Sequence, residues 1–235
     1  LYLSPISDLQ LIYKCLRLRP HAVVLSSWWH APTHPSIDSI RIIREKLGIP
    51  FAAIWWDTCS ESFWRSLEPV KMEFDAHVIV DNPCLYFIDP NDPVFGRVLN
   101  LWVPEDESTF KPSRVKDVPV SFLGQVSSYR SYRSETIQHL MDMNVPGYFS
   151  TQERKSQVTH AEYANIMGRS KMSLNFSASV SCHQVKSRVW EVLLSGAMLL
   201  ESANEQTSTV LTPMKDYVPF NSKEDLLEKI CYYLE

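Results

Sequence analysis

The sequence predicts an α/β protein of two lobes, each built on a parallel sheet. Three observations carry this. Short apolar segments alternate with amphipathic helical segments. The apolar stretch Phe51–Trp56 is unbroken, as in strands covered on both faces. The alternation stops at Leu101–Pro112, a turn-rich stretch with two prolines and three acids, and then restarts. The boundary is therefore set after Pro112, giving lobes 1–112 and 113–235. A chain of 235 residues gives each lobe a core without disulfides or structural metals.

In the first lobe, Ser7 or Asp8 caps a helix whose apolar face reads Leu9, Ile12, Leu16, and Pro20 ends it. A strand Ala22–Leu25 runs into the polar-aromatic loop Ser26-Ser-Trp-Trp-His30. Ser36 caps the next helix, with Ile37, Ile40, Ile43 and Leu47 at helical spacing and Gly48 as its stop. Strand Phe51–Trp56 ends at Asp57. A helix over Glu61–Phe74 and a strand His77–Val80 follow.

In the second lobe, strand Val118–Leu123 ends at Gly124, and a helix carries Ile137, Leu140 and Met141. Strand Gly147–Ser150, helix His160–Ser170 and strand Met172–Phe176 come next. Helix Val185–Ser195, strand Ala197–Glu201 and helix Ser222–Leu234 close the chain. Ser222 with Asp225 forms a capping-box pattern with a shortened acid.

Composition excludes several classes. The 23 basic and 27 acidic residues leave a net charge of −4, without the basic balance that captures nucleic acid. No apolar run reaches a membrane span. The five cysteines are scattered and form no C-x-x-C pair, which points to a reducing, cytoplasmic setting and away from zinc. The motifs of P-loop, dinucleotide-binding, zincin and α/β-hydrolase sites are missing. So is an Asp-x-Asp at a strand end, and no metal or cofactor is expected.

Ligands of open α/β sheets bind beyond the carboxyl ends of strands. This selects the loops Ser26–His30, Asp57–Cys59, Gly124–Arg133 and Ser177–Lys186, and the segment after Glu201. The loop Ser177-Ala-Ser-Val-Ser-Cys-His-Gln184 feeds a helix bearing Lys186, Arg188 and Glu191. A helix N-terminus with added cations suits phosphate. Spacing alone equally allows an Arg188–Glu191 surface pair at i,i+3. Arg130 and Arg133 are either diphosphate partners or solvated helix residues. Asp57 fits a helix cap as well as an acid. Trp28 and Trp29 fit sugar stacking or core, and Trp55 fits core.

The ordered series Tyr163–Phe176, then Lys186-Ser-Arg-Val-Trp-Glu-Val-Leu-Leu-Ser-Gly-Ala-Met-Leu-Leu200, resembles the C-terminal lobe of GT-B-fold glycosyltransferases of the group 1 type, particularly the CgeB-like branch. Asp117–Gly124 resembles the first strand of that lobe, Leu101–Pro112 its connector, and Asp216–Leu234 its closing strand and helix. The resemblance implies two Rossmann-like lobes (GT-B), the first lacking its usual opening strand and helix. It implies a donor lobe at 113–235 and an acceptor lobe at 1–112. Glu191 matches the second acid of the family's Glu-x7-Glu motif, which binds ribose hydroxyls. The first acid falls at His183. Gly124 matches the small residue that admits phosphate. Lys186 and Arg188 are then the better phosphate residues, and Asp57 and His183 the candidates facing the reaction. The implied activity is metal-independent, retaining transfer of a sugar from a nucleotide-diphosphate sugar to a hydroxyl of a glycan, lipid or protein. The alternative is a non-catalytic nucleotide-sugar-binding or assembly protein.

Overall fold

The computed structural model describes residues 7–26, 35–56, 58, 61–80, 89–103, 105–126, 131–150, 158–177 and 184–235, with residues 61–63 described through their backbone alone. The chain divides into two compact units, Leu1–Trp102 and Val103–Glu235.

The first unit runs α1 (Asp8–Leu18), β1 (Val23–Ser26), α2 (Ile37–Leu47), β2 (Phe51–Trp55), α3 (Glu61–Leu67), β3 (Ala76–Ile79) and β4 (Val98–Asn100). Its four strands are parallel and stand in the order β1-β2-β3-β4. Right-handed crossovers between strands added in one direction put the connecting helices on one face. The register sets Val23, Phe51, Ala53, Trp55, His77 and Ile79 on that face, and all are buried. The opposite face carries Val24 and Leu99, 58% and 53% exposed. So β2 alternates buried and half-buried residues and is not covered equally on both sides.

Local signals fix the helix ends. Ser7 and Gln10 form a full capping box, and Gly48 closes α2 in the left-handed region at φ 66°. The apolar face expected for α1 is displaced. Leu11 and Cys15 are buried, whereas Leu9 is 79% exposed, because α1 meets α2 along a different stripe. His77 is fully buried and satisfied: Trp55 Nε1 donates to its Nδ1 at 3.0 Å, and Nε2 lies 2.9 Å from the Lys71 carbonyl. Burial holds its pKa below the usual value.

The second unit runs β5 (Val118–Phe122), α4 (Ser131–Asp142), β6 (Gly147–Phe149), α5 (His160–Arg169), β7 (Ser170–Asn175), α6 (Ser187–Leu194), β8 (Met198–Ser202), α7 (Glu205–Ser208), β9 (Val218–Phe220) and α8 (Lys223–Leu234). All five strands are parallel, in the order β6-β5-β7-β8-β9. One face packs Val120, Phe122, Leu174, Leu200 and Phe220 against Ile137 and Leu140 of α4 and Leu226 and Ile230 of α8. The other face meets α5 and α6. There three buried serines interlock: Ser170 Oγ donates to Ser121 Oγ at 2.8 Å, and Ser121 Oγ to Ser173 Oγ at 3.1 Å. Ser222 caps α8 by accepting from Asp225 N, while Asp225 accepts from Asn221 N rather than from the cap.

The boundary expected after Pro112 lies ten residues inside the second unit. The connector packs there for steric reasons. Phe110 is buried edge-on against His160 and Tyr163. Ser113 N donates to the Gly168 carbonyl at 3.0 Å, and a Cβ on Gly168 would lie 2.7 Å from Lys111 O. A Cβ on Gly196, at φ 62°, would lie 2.9 Å from Pro112.

Candidate functional site

The chain leaves β5 for β6 on one side of it and then returns to β7 on the other. That reversal opens a crevice beyond the carboxyl ends of β5 and β7, where open α/β sheets bind ligands. Leu123–Gln125 follow β5 there, Phe176 and Ser177 follow β7, and the start of α6 faces both.

Arg188, in the first turn of α6, is half-buried. Its guanidinium lies over the Phe122 ring, 5.4 Å from the centroid. A Cβ built on Gly124 would lie 3.0 and 3.1 Å from its two terminal nitrogens and 2.9 Å from Phe122 Cζ. Gly124 thus opens the space that Arg188 occupies. Arg188 Nε donates to Tyr163 Oη at 3.3 Å, and Tyr163 Oη donates in a short bond to Glu191. The expected i,i+3 surface pair is therefore a relay through a tyrosine of α5. Burial works against the Arg188 charge, while Tyr163, Glu191 and Glu201 favour it, and its pKa lies above the usual value. Burial raises the Tyr163 pKa well above the phenol range and keeps it a donor. Glu105, on the connector, is pushed up to about 7 by burial and by the charge of Glu191.

Arg133 is buried and bonded to backbone. It donates to Phe176 O at 2.9 Å and to Gln125 O at 3.2 Å, with the Phe122 and Phe176 rings 5.8 and 5.6 Å away. It ties the loop after β5 to the end of β7, and N–H groups spent on carbonyls are not offered to a phosphate. Lys186 is the N-cap residue of α6 and makes no side-chain capping bond. Gly124 N donates to Ser150 Oγ at 3.3 Å, which holds the turn. The structure thus brings Gly124, Lys186, Arg188 and Glu191 to one end of the sheet, with Arg133 beneath them. Asp57, Arg130 and His183 lie outside the described residues, as do Trp28, Trp29 and His30.

Sequence reasoning read Glu201 only as the end of a strand. It is fully buried, with the hydrogen-bonding groups of Ser177 and Asn175 beside it. Burial pushes its pKa up to about 7, against the pull of Ser177, Asn175 and Arg188. The available signal was an acid closing the otherwise apolar run Ala197–Leu200. Tyr163 carried no such signal, since α5 shows it only as a half-apolar position. An open cavity of about 800 Å³ lies beside α4, lined by Val126, Glu135, His139, Ser150 and Lys223 among others, and Ser150 also accepts from Gly124 N at the turn of this site. Among the described residues no cluster of three His, Cys, Asp or Glu side chains could hold a metal, and no helix is long and apolar enough to cross a membrane.

Comparison with known proteins gives the following. The family model described as "Glycosyl transferase-like" matches residues 113–235. No curated protein matches the chain. Among solved structures, HepE from Anabaena in complex with UDP-glucose aligns at TM-score 0.63 and 10% identity, over 96% of this chain and 72% of that one. A glycosyltransferase from Rickettsia africae aligns at 0.64 and 12%, over 97% and 70%. Sucrose-phosphate synthase from Thermosynechococcus elongatus aligns at 0.63 and 10%, over 97% and 67%. At such identities the likeness is one of fold, and it is the expected GT-B class with parallel sheets.

Proposed function

Because the chain belongs to the glycosyl transferase-like family, we propose that it moves a sugar from a nucleotide-diphosphate sugar to an acceptor hydroxyl. The observation that carries this reading is the position of Arg188. Its guanidinium stands in the first turn of α6, above Gly124 at the strand-order reversal. Charge grows on the diphosphate as the bond from its oxygen to the anomeric carbon breaks. Arg188, Lys186 and the opening N–H groups of α6 are suited to stabilise that charge, with no metal required. The acceptor oxygen forms the new bond and loses its proton. Asp57, in the first unit, is the candidate group for that proton. Retention of configuration is the outcome we assign by family resemblance. UDP-glucose bound to HepE supports a nucleotide sugar as the donor class.

The test is titration calorimetry with UDP-glucose, GDP-mannose and ADP-glucose, followed by a donor-hydrolysis assay. The wild type should bind one of them and hydrolyse it slowly. Arg188→Ala should weaken binding about tenfold or more, the scale of a lost charge-assisted bond. Binding without hydrolysis or transfer would instead make the chain a nucleotide-sugar-binding protein.

A further inference from the structure

Helix α1 carries two apolar stripes, and the first unit buries one of them. Leu11 and Cys15 pack inward. Leu9, Tyr13 and Leu16, at i, i+4 and i+7, line the solvent side and are 79%, 60% and 48% exposed. The patch continues onto α2. Asp8 accepts from Ser36 N at 2.6 Å, so the two helices start side by side. Arg41 and Arg44 reach from α2 the other way, to Glu73 and Asp75. Ile42, about 100° round the helix from Arg41, stands on the flank toward α1 and is 47% exposed.

The charges around this patch say what covers it. Lys14 and Arg17 on α1, Arg19 at its cap and Lys46 on α2 are in no ion pair among the described residues, whereas Arg41 and Arg44 are spent on Glu73 and Asp75. Asp8, the acid of α1, is taken up by the start of α2, and Asp38 faces Arg41. Glu45 alone of the nearby acids on these helices has no such partner among the described residues, so the rim of the patch is positive. A second copy seated on it would bring like charges together. An anionic bilayer suits both parts. Its acyl boundary takes the apolar side chains, and its phosphates take cations that snorkel outward.

We propose that α1 and the adjoining flank of α2 form a docking surface for a membrane of anionic phospholipids. The helix lies in the plane of the interface. Leu9, Tyr13, Leu16 and Ile42 face the acyl boundary, and Lys14, Arg17, Arg19 and Lys46 meet the headgroup phosphates. The surface holds the first unit at a bilayer without crossing it, and it is independent of the donor reading above.

The experiment is co-sedimentation of the full chain with two kinds of vesicle, phosphatidylcholine alone and an equal mixture of phosphatidylcholine and phosphatidylglycerol. Wild type should bind the mixed vesicles about tenfold or more tighter than the neutral ones, and molar salt should erase most of that difference. Leu9→Ser with Leu16→Ser, and separately Arg17→Glu with Lys46→Glu, should each weaken binding to the mixed vesicles about tenfold or more. All four side chains are exposed, so both variants should keep the wild-type melting temperature. Leu99→Ser, on the open face of the sheet, should bind as wild type does. Gel filtration without lipid should give a single copy at every concentration. The proposal is overturned by equal binding to both vesicles, or by folded double variants that bind within about twofold of wild type. A loss confined to Leu99→Ser moves the contact to the sheet and overturns it too. A dimer that Leu9→Ser with Leu16→Ser dissolves assigns the patch to a second copy instead.

Discussion

Gly124 is a glycine for want of space. It is not among the residues in the left-handed region, where Gly48 and Gly196 lie. A methyl group there would press on Phe122 and on the guanidinium of Arg188. The arginine end is flexible and would yield, leaving its place over the ring. Gly124→Ala should therefore cost about 1–3 kcal/mol, the scale of overpacking, and also weaken nucleotide binding. Thermal melts and calorimetry on one sample read both effects, and a variant with unaltered binding would contradict the placement of Arg188. The sequence named Gly124, Arg188 and Glu191 but not what joins them. Tyr163 sits 28 positions before Glu191, and only the packing of α5 on α6 brings its hydroxyl into the relay. Glu201 was hidden for another reason. A strand-end acid reads as solvated, and its burial depends on the helices laid across it. Charge alone left Arg133 as a diphosphate partner or a solvated helix residue, and it is in fact buried. Its five fixed donors fit two backbone carbonyls equally well.

At the scale of elements, the hydroxyl set of Ser121, Ser170 and Ser173 joins β5, β7 and the end of α5, where apolar side chains would be usual. Ser121 is its centre, accepting from Ser170 and donating to Ser173. Ser121→Ala strips a hydroxyl partner from each, leaving Ser170 the Ile166 carbonyl and Ser173 the carbonyl of residue 121. It should cost about 1–3 kcal/mol, seen as a lower urea midpoint with an unchanged slope. A slope change would mean the three do not act as one native-state set. Elements with a strong period were legible: α2, α6 and α8 lie within two residues of their expected ends. The misses have physical causes. β4 and α7, at three and four residues, are too short to show a period. In α1 both stripes are apolar, and contact with α2 chose Leu11 and Cys15 over Leu9 and Leu16.

For the whole molecule, the compact second unit starts at Val103, while the expected lobe and the family match both start at residue 113. Prolines and acids mark 101–112 as a connector, yet Phe110 fills its core and Pro112 fits under Gly196. Composition reports turns, not the surface they lie against. Residues 103–235 expressed alone should fold cooperatively. Residues 113–235 should be less stable by about 3–5 kcal/mol, the loss expected on deleting a buried phenylalanine. Chemical denaturation of the two fragments decides this, and equal midpoints would return the boundary to Pro112. The one-sided sheet of the first unit has a further effect, on behaviour in solution. Val24 and Leu99 leave methyl groups in water on the face opposite its buried residues. Kosmotropic salts drive such surfaces together by being excluded from them. Added sulfate should therefore draw copies of the first unit together through this face.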